Sequence, residues 1–345
     1  MVNLCANWGL AFRPHFKTHQ SAEIAEWFRK KGVNKCTVSS IDMAQYFANH
    51  GWEDITIAIP VNILEIDKII ELSKIIKLNL LVDQLETCQI LSRKVIQPIS
   101  LFIEIDTGYA RSGIAYSQDE QIDTLLHIIK KSPKLQFAGF LSHTGNSYSA
   151  ENAKMVVQLF EQAKRKMIAL KNKYTPHYKN TIISLGDTPS STYATNFSGI
   201  DEWRPGNFIF YDMMQFAQGV CRFDEIALTV RCPIIGIYPQ RQEFVIYGGG
   251  VHLSKESMNF KGRKIFGWVK IGKEDEGVNK LNGFPVISLS QEHGIIAASS
   301  EFLSQLKVGD LIDIIPIHSC MTADLFPQYK TNNNDTISKY RSNST

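Results

Sequence analysis

The sequence predicts an α/β fold: a (β/α)8 TIM-type barrel followed by a C-terminal antiparallel β domain. Three observations carry this. Eight short apolar runs alternate with mostly amphipathic stretches over the first two thirds of the chain. Polar side chains gather just past the ends of those runs, which is where barrel sites are built. From about Arg222 the helical spacing gives way to short strands broken by glycine, proline and charge. A doubly wound open sheet would alternate similarly, but it would not usually supply polar groups from so many strand ends.

The first run, residues 9–12, stops before Pro14, which has no N–H to give a ladder. Further strands are expected at 35–38, 55–60, 78–82, 100–105, 136–141 and 181–185, with a short eighth at 202–204. The spacing predicts helices over 21–31, 43–48, 65–75, 85–95, 120–131 and 150–172. Ser117 and Asp119 open the fifth of these, and Gly32 follows the first. Residues 1–221 therefore form the barrel and 222–328 the β domain, with strands near 226–236, 244–247, 265–269, 286–289, 295–298 and 310–315. Residues 329–345 are rich in Asn, Ser and Thr with little apolar content, which predicts a disordered tail.

The totals narrow the class. A chain of 345 residues, 44% hydrophobic and 21% charged, has an ordinary globular composition. A net charge of +3 is too weak to predict a nucleic-acid surface. No apolar stretch reaches the roughly 18–20 residues that a membrane helix needs. The opening Met1-Val2-Asn3-Leu4-Cys5 lacks a basic segment followed by an apolar one, so no signal peptide is expected. Six scattered cysteines with no CxxC pair predict reduced thiols and a cytoplasmic location.

Four segments carry chemistry. Phe12-Arg13-Pro14-His15-Phe16-Lys17-Thr18-His19 places a lysine among other basic groups just past a buried strand. Partial desolvation and neighbouring cations there would lower its amine pKa and permit Schiff-base chemistry. Gly186-Asp187-Thr188-Pro189-Ser190 after the seventh strand and Arg204-Pro205-Gly206-Asn207 after the eighth would together form a phosphate cradle. Either segment alone reads as a capped helix start or a turn. Asp106 to Gly113 puts Arg111 on a glycine-bounded loop, and His143 to Tyr148 offers an imidazole, an amide and a phenol. In the β domain, Ile317-His318-Ser319-Cys320 is expected to be extended, so that His318 and Cys320 point together and share one metal ion, zinc by donor type. A packed cysteine beside a polar histidine reads as well from spacing alone. Gln291-Glu292-His293-Gly294 adds a further histidine and carboxylate.

Taken together, these motifs resemble the fold-type III pyridoxal-phosphate enzymes, the alanine racemase-like barrels, and within them the D-serine dehydratase and D-threonine aldolase family. The resemblance spans about residues 8–326. It implies pyridoxal 5'-phosphate on Lys17, which also acts as the catalytic base. It implies a cofactor phosphate held by Gly186, Thr188, Ser190 and the backbone of Gly206 and Asn207, and a ring oxygen bonded by Arg111 or Tyr148. His143 and Arg204 would hold the ring and its surroundings, His143 being counted with the catalytic groups. The metal at His318 and Cys320 would be zinc, with manganese or magnesium as alternatives. The implied activity is metal-assisted dehydration of D-3-hydroxy amino acids, D-serine giving pyruvate and ammonia, in a homodimer. D-Threonine aldolase, a racemase and a non-catalytic pyridoxal-phosphate-binding protein are the alternatives. The cysteine form of the metal pair resembles the dehydratases of eukaryotic type. Members of the family usually begin with a strand and helix before the lysine strand. Here Val2 to Trp8 could represent only that helix, which predicts an unpaired edge in the β domain.

Overall fold

The computed structural model describes residues 1–271 and 283–341. Eight parallel strands form the barrel path of the first sheet, with a ninth, Ile114–Ala115, paired beside the fifth: β1 (Ala11–Phe12), β2 (Cys36–Val38), β3 (Asp54–Pro60), β4 (Lys77–Val82), β5 (Ile99–Asp106), β6 (Leu135–Leu141), β7 (Ile182–Leu185) and β8 (Glu202–Trp203). Their order is β1-β8-β7-β6-β5-β4-β3-β2. A parallel bridge between His15 and Thr37 closes the ring. There the Phe16 N–H donates to Thr37 O at 2.8 Å and the Thr37 N–H to Pro14 O at 2.9 Å. This is the expected barrel, and each expected strand is present within a few residues of its predicted ends.

The elements form where the apolar spacing demands. Asp119–Lys131 buries Ile122, Leu125, Leu126 and Ile129 on one face, and Ala153–Tyr174 buries Val156, Phe160, Ala163, Met167 and Leu170. Ser21, Ser40 and Asn152 cap their helices by accepting from the N–H three residues on. β4 and β5 are buried almost throughout, as parallel strands covered on both faces must be. No helix among the described residues is long and apolar enough to cross a membrane.

The chain divides into two compact units, Met1–Gly206 with Lys330–Thr345, and Asn207–Tyr329. The boundary lies earlier than the expected 221. Met213, Phe216 and Cys221 pack with Phe223, Ile226, Phe260, Trp268 and Ile315, so this stretch shares the second unit's core. In that unit six antiparallel strands run in the order Gly267–Val269, Leu311–Pro316, Val230–Tyr238, Glu243–Tyr247, His293–Ala297, Val286–Leu289. The end strands meet through a Trp268–Pro285 bridge, and the Val269 N–H donates to Phe284 O at 2.9 Å. The expected open edge is therefore covered among the described residues.

The expected disordered tail is ordered to residue 341, and residues 342–345 lie outside the described ones. Ile337 and Lys339 are buried, the Ser338 N–H donates to Glu23 Oε1 at 2.8 Å, and the Tyr340 N–H to Gln20 O at 2.6 Å. Average composition hid these few anchoring side chains.

Phe16 shows what fixes the turn after β1. It is fully buried, with the rings of Phe47, Trp52 and Phe28 centred 4.9, 4.8 and 5.3 Å away. Phe16→Ala is expected to cost about 3–5 kcal/mol, read as a lowered denaturant midpoint.

Candidate active site

The site in the first unit begins with Arg13. It is only 3% exposed, pointing into the barrel instead of solvent. Its Nε donates to Glu202 Oε2 at 2.6 Å and its Nη1 to Asp54 Oδ1 at 2.7 Å, and these two carboxylates raise its pKa against the opposing effect of burial. The other Glu202 oxygen accepts from Ser184 Oγ at 2.7 Å, and Ser184 Oγ accepts from Arg204 Nε at 2.6 Å. Arg204 Nη2 then donates to Ser142 O at 2.6 Å. A continuous polar chain thus joins the ends of β1, β3, β6, β7 and β8. Burial draws the Arg204 pKa down to about 10 while Glu202 and Glu104 oppose it, which leaves the guanidinium charged at neutral pH.

Lys17 follows in the turn held by Phe16. Its side chain is exposed, so the expected desolvation is not what distinguishes it. The cations around it are. Burial, then the charges of Lys17, Arg204 and Arg111 together with His143, hold His15 well below the ordinary imidazole range. Burial and the charges of Lys17, Arg111 and Arg204 lower His143 to about 3. Five groups, from the ends of β1, β5, β6 and β8, therefore share one electrostatic neighbourhood. His15 was not among the sequence candidates, although its place two residues before Lys17 was the signal.

His143 Nδ1 lies 3.2 Å from Gly186 O. A carbonyl only accepts, so Nδ1 carries the proton and Nε2 keeps its lone pair. The ring sits between Tyr109 and Tyr148, with centroids 6.0 and 6.2 Å away. The Tyr148 hydroxyl accepts from the Thr188 N–H at 3.3 Å, which ties it to the segment after β7. The Arg111 guanidinium lies 5.2 Å from the centre of the Tyr109 ring.

Asp187 caps the helix Thr188–Tyr193 by accepting from the Ser190 N–H at 2.7 Å, and it also accepts from Thr144 Oγ1 and Ser147 Oγ. Ser190 Oγ is buried beside the Asp187 carboxylate. A Cβ on Gly186 would stand 2.4 Å from Arg204 N, and one on Gly206 would stand 2.9 Å from His15 O. Both segments therefore approach neighbouring backbone more closely than any side chain allows.

Three carboxyls shape the Arg111 loop. Asp106 Oδ1 accepts from the N–H groups of Gly108, Tyr109 and Ala110. Asp83 Oδ2 accepts from the Gly113 N–H at 3.0 Å, and Glu104 Oε1 from Ser112 Oγ at 3.0 Å. Glu104 is buried, burial raises its pKa, and its Oε2 has no partner among the described residues. Its charge inside an apolar run was a signal that sequence reading passed over.

In the second unit His318 and Cys320 come together, but not on a strand. The strand ends at Pro316, His318 precedes the helix Ser319–Asp324, and Cys320 is its second residue. Burial lowers the His318 pKa, but the hydrogen bond and charge of Cys320, with Asp212 and Glu256, outweigh it and raise the value to about 9. Among the described residues no cluster of three or more His, Cys, Asp or Glu side chains is placed to hold a metal, so the pair is a two-ligand arrangement. Glu292 lies 3.8 Å from His252 Nε2, and His293 is exposed on its strand. The Asn207 side chain is committed to Asp212 and Ser319.

The first-unit residues fit pyridoxal 5'-phosphate. A buried hydroxyl at Ser190 at the start of a capped helix suits a phosphate, and Lys17, Arg111 and Arg204 supply positive charge. Imidazole with thiolate suits zinc in the second unit.

Comparison with known proteins agrees. Residues 9–213 match the family model “Alanine racemase, N-terminal domain”, and residues 227–331 match “Putative serine dehydratase domain”. The chain is 28% identical to a D-serine dehydratase of Dictyostelium discoideum, covering 97% of this chain and 89% of that protein. It is 26% identical to a D-threo-3-hydroxyaspartate dehydratase of Delftia sp., covering 93% of this chain and 87% of that one. The solved structure of the Delftia dehydratase superposes with a TM-score of 0.90 over 99% of this chain and 93% of that one, at 24% identity. An alanine racemase-like protein of Idiomarina loihiensis superposes with a TM-score of 0.86 at 28% identity, over 98% of this chain and 92% of that one. With the racemase-type barrel match alone spanning residues 9–213, more than half its length, the chain belongs to the alanine racemase N-terminal domain family.

Proposed function

We propose that this protein is a pyridoxal-phosphate-dependent, metal-assisted lyase that dehydrates D-3-hydroxy amino acids, D-serine first, to an oxo acid and ammonia. The observation that carries the reading is the convergence of Lys17, Arg111, Arg204 and two neutral histidines at the barrel strand ends. Similarity over most of the chain to two dehydratases supports dehydration over aldol cleavage. Cys320 in the metal pair points the same way.

Bound pyridoxal phosphate supplies an electron sink for negative charge at the substrate Cα. A divalent ion would be held by His318 and Cys320 and would supply Lewis acidity. Lys17 Nζ would hold the cofactor and would take the substrate Cα proton. That proton and the departing hydroxide make up the water lost. The 2-aminoacrylate left from D-serine tautomerises and hydrolyses to pyruvate and ammonia. Arg111 or Tyr148 would bind the ring oxygen, and Arg204 stays protonated at neutral pH. His143, neutral, donates from Nδ1 to Gly186 O and so keeps an acceptor at Nε2. Ser190 Oγ, Thr188, Gly186, Gly206 and the Asn207 backbone hold the phosphate. The six free cysteines suit a reducing cytoplasm, and the family resemblance favours a homodimer.

The decisive test incubates the cofactor- and zinc-loaded protein with D-serine, D-threo-3-hydroxyaspartate and D-threonine, with and without chelator. Chelator-sensitive oxo acid is expected. Glycine and acetaldehyde from D-threonine would instead make it an aldolase, and turnover to neither product would sink the lyase reading. Lys17→Ala should remove the cofactor's visible absorbance and lower turnover by about 10²–10⁴-fold. His318→Ala and Cys320→Ala should keep that absorbance and lose dehydration.

Acid stability follows from His143, which titrates at about 3 in the folded chain against about 6.5 when unfolded. Between those values the unfolded chain holds the extra proton, so stability falls as pH drops from about 6.5. His15 adds in the same direction. Denaturant midpoints at about pH 7 and about pH 5 should show the loss, and His143→Gln should lessen it.

A further inference from the structure

We propose that Asp212 is the positioning residue of the metal pair, fixing the His318 ring and the start of the helix that carries Cys320. The inference rests on the reading of His318 and Cys320 as metal ligands.

Asp212 is fully buried, and both its oxygens are engaged within the second unit. Oδ1 accepts from the Gln215 N–H at 3.0 Å and caps the helix Met213–Ala217. Oδ2 accepts from Asn207 Nδ2 at 2.8 Å and from the Ser319 N–H at 3.0 Å, with Ser319 Oγ at 3.4 Å. The same oxygen lies 3.5 Å from His318 Nδ1. Ser319 Oγ also donates to Asn207 Oδ1 at 2.6 Å, and the Met214 N–H donates to Ile317 O at 3.2 Å. Residues on both sides of His318 are thus pinned to the segment 207–214.

The chemistry follows from this geometry. A carboxylate facing Nδ1 favours the tautomer protonated there, which leaves the Nε2 lone pair for a metal. The Ser319 N–H sets the first turn of the helix on which Cys320 is the second residue. Asp212 need not touch the ion to do this. A burial this complete for a charged side chain needs compensating partners, and its partners are the residues flanking the metal pair.

The test measures zinc affinity of the full-length, cofactor-loaded protein by competition with a chelator of known affinity. His318→Ala should abolish tight zinc binding. If the unaltered protein binds no zinc, or His318→Ala binds it equally well, the ligand reading fails and the inference with it. Given that control, Asp212→Asn should weaken zinc about 10–100-fold, with the cofactor's visible absorbance unchanged. Unchanged zinc affinity in Asp212→Asn would overturn the positioning role alone. Should that variant not fold, the unaltered protein decides the matter. Long-range proton–nitrogen NMR of the histidine-labelled, zinc-loaded protein, with His318 assigned from His318→Ala, should show the proton on Nδ1 alone. A proton on Nε2 would overturn the inference.

Discussion

The structure depends on the buried guanidinium of Arg13. β1 and β8 are two residues each, and only two residue pairs join them in register. So short a ladder gives little hold between the first and last strands of a closed barrel. Backbone hydrogen bonds from Ala11, Arg13 and His15 to Asp201 O, Trp203 O and Pro205 O extend it, and the Arg13 side chain adds a tie to Glu202 on β8 and Asp54 on β3 at once. Removing one partner of such a buried pair costs about 3–5 kcal/mol, because the charge left behind is uncompensated. The arrangement is therefore less a source of net stability than a constraint on which strands lie side by side.

The same constraint organises the site. Glu202 divides its two oxygens between Arg13 and Ser184, and Ser184 passes the connection to Arg204. Barrel closure and placement of a catalytic-site cation thus share atoms. The result is a pocket with positive charge fixed by neighbours on several strands. Neutral imidazoles are the consequence, since a further positive charge at His15 or His143 would be both desolvated and repelled. Such a pocket suits an anionic group, and it keeps two nitrogen bases unprotonated across the physiological range.

The barrel was legible because parallel strands covered on both faces read as continuous apolar runs, and runs such as 78–82 and 100–105 do so plainly. The polar residues past their ends were legible for the same reason: Lys17, Arg111, His143 and Arg204 interrupt an otherwise apolar rhythm. What stayed hidden depends on partners distant along the chain. Arg13 meets Glu202 across 189 residues, and Asp212 meets Ser319 across 107. Nothing local in either segment announces those pairings. The pairing of His318 with Cys320 was anticipated, but the strand geometry offered for it was not what the chain does. Pro316 is the last strand residue, and the two side chains meet across a helix start.

Lys17 poses the remaining physical question: why is so central an amine exposed? An amine buried in the barrel would have to be neutral or paired, and a paired lysine is a poor base. Here the backbone around it is held. Phe16 is locked in an aromatic cluster, the His15 N–H is bound to Pro205 O at 3.0 Å, and the Lys17 carbonyl accepts from Gln20 Nε2 at 3.2 Å. Gln20 takes a left-handed conformation, φ 52°, in the turn that the Tyr340 N–H secures from the chain's other end. The backbone under Lys17 is therefore fixed while its side chain stands exposed. Under the proposed function, an amine that holds a cofactor and later accepts a proton would need its anchor fixed while its end changes partner.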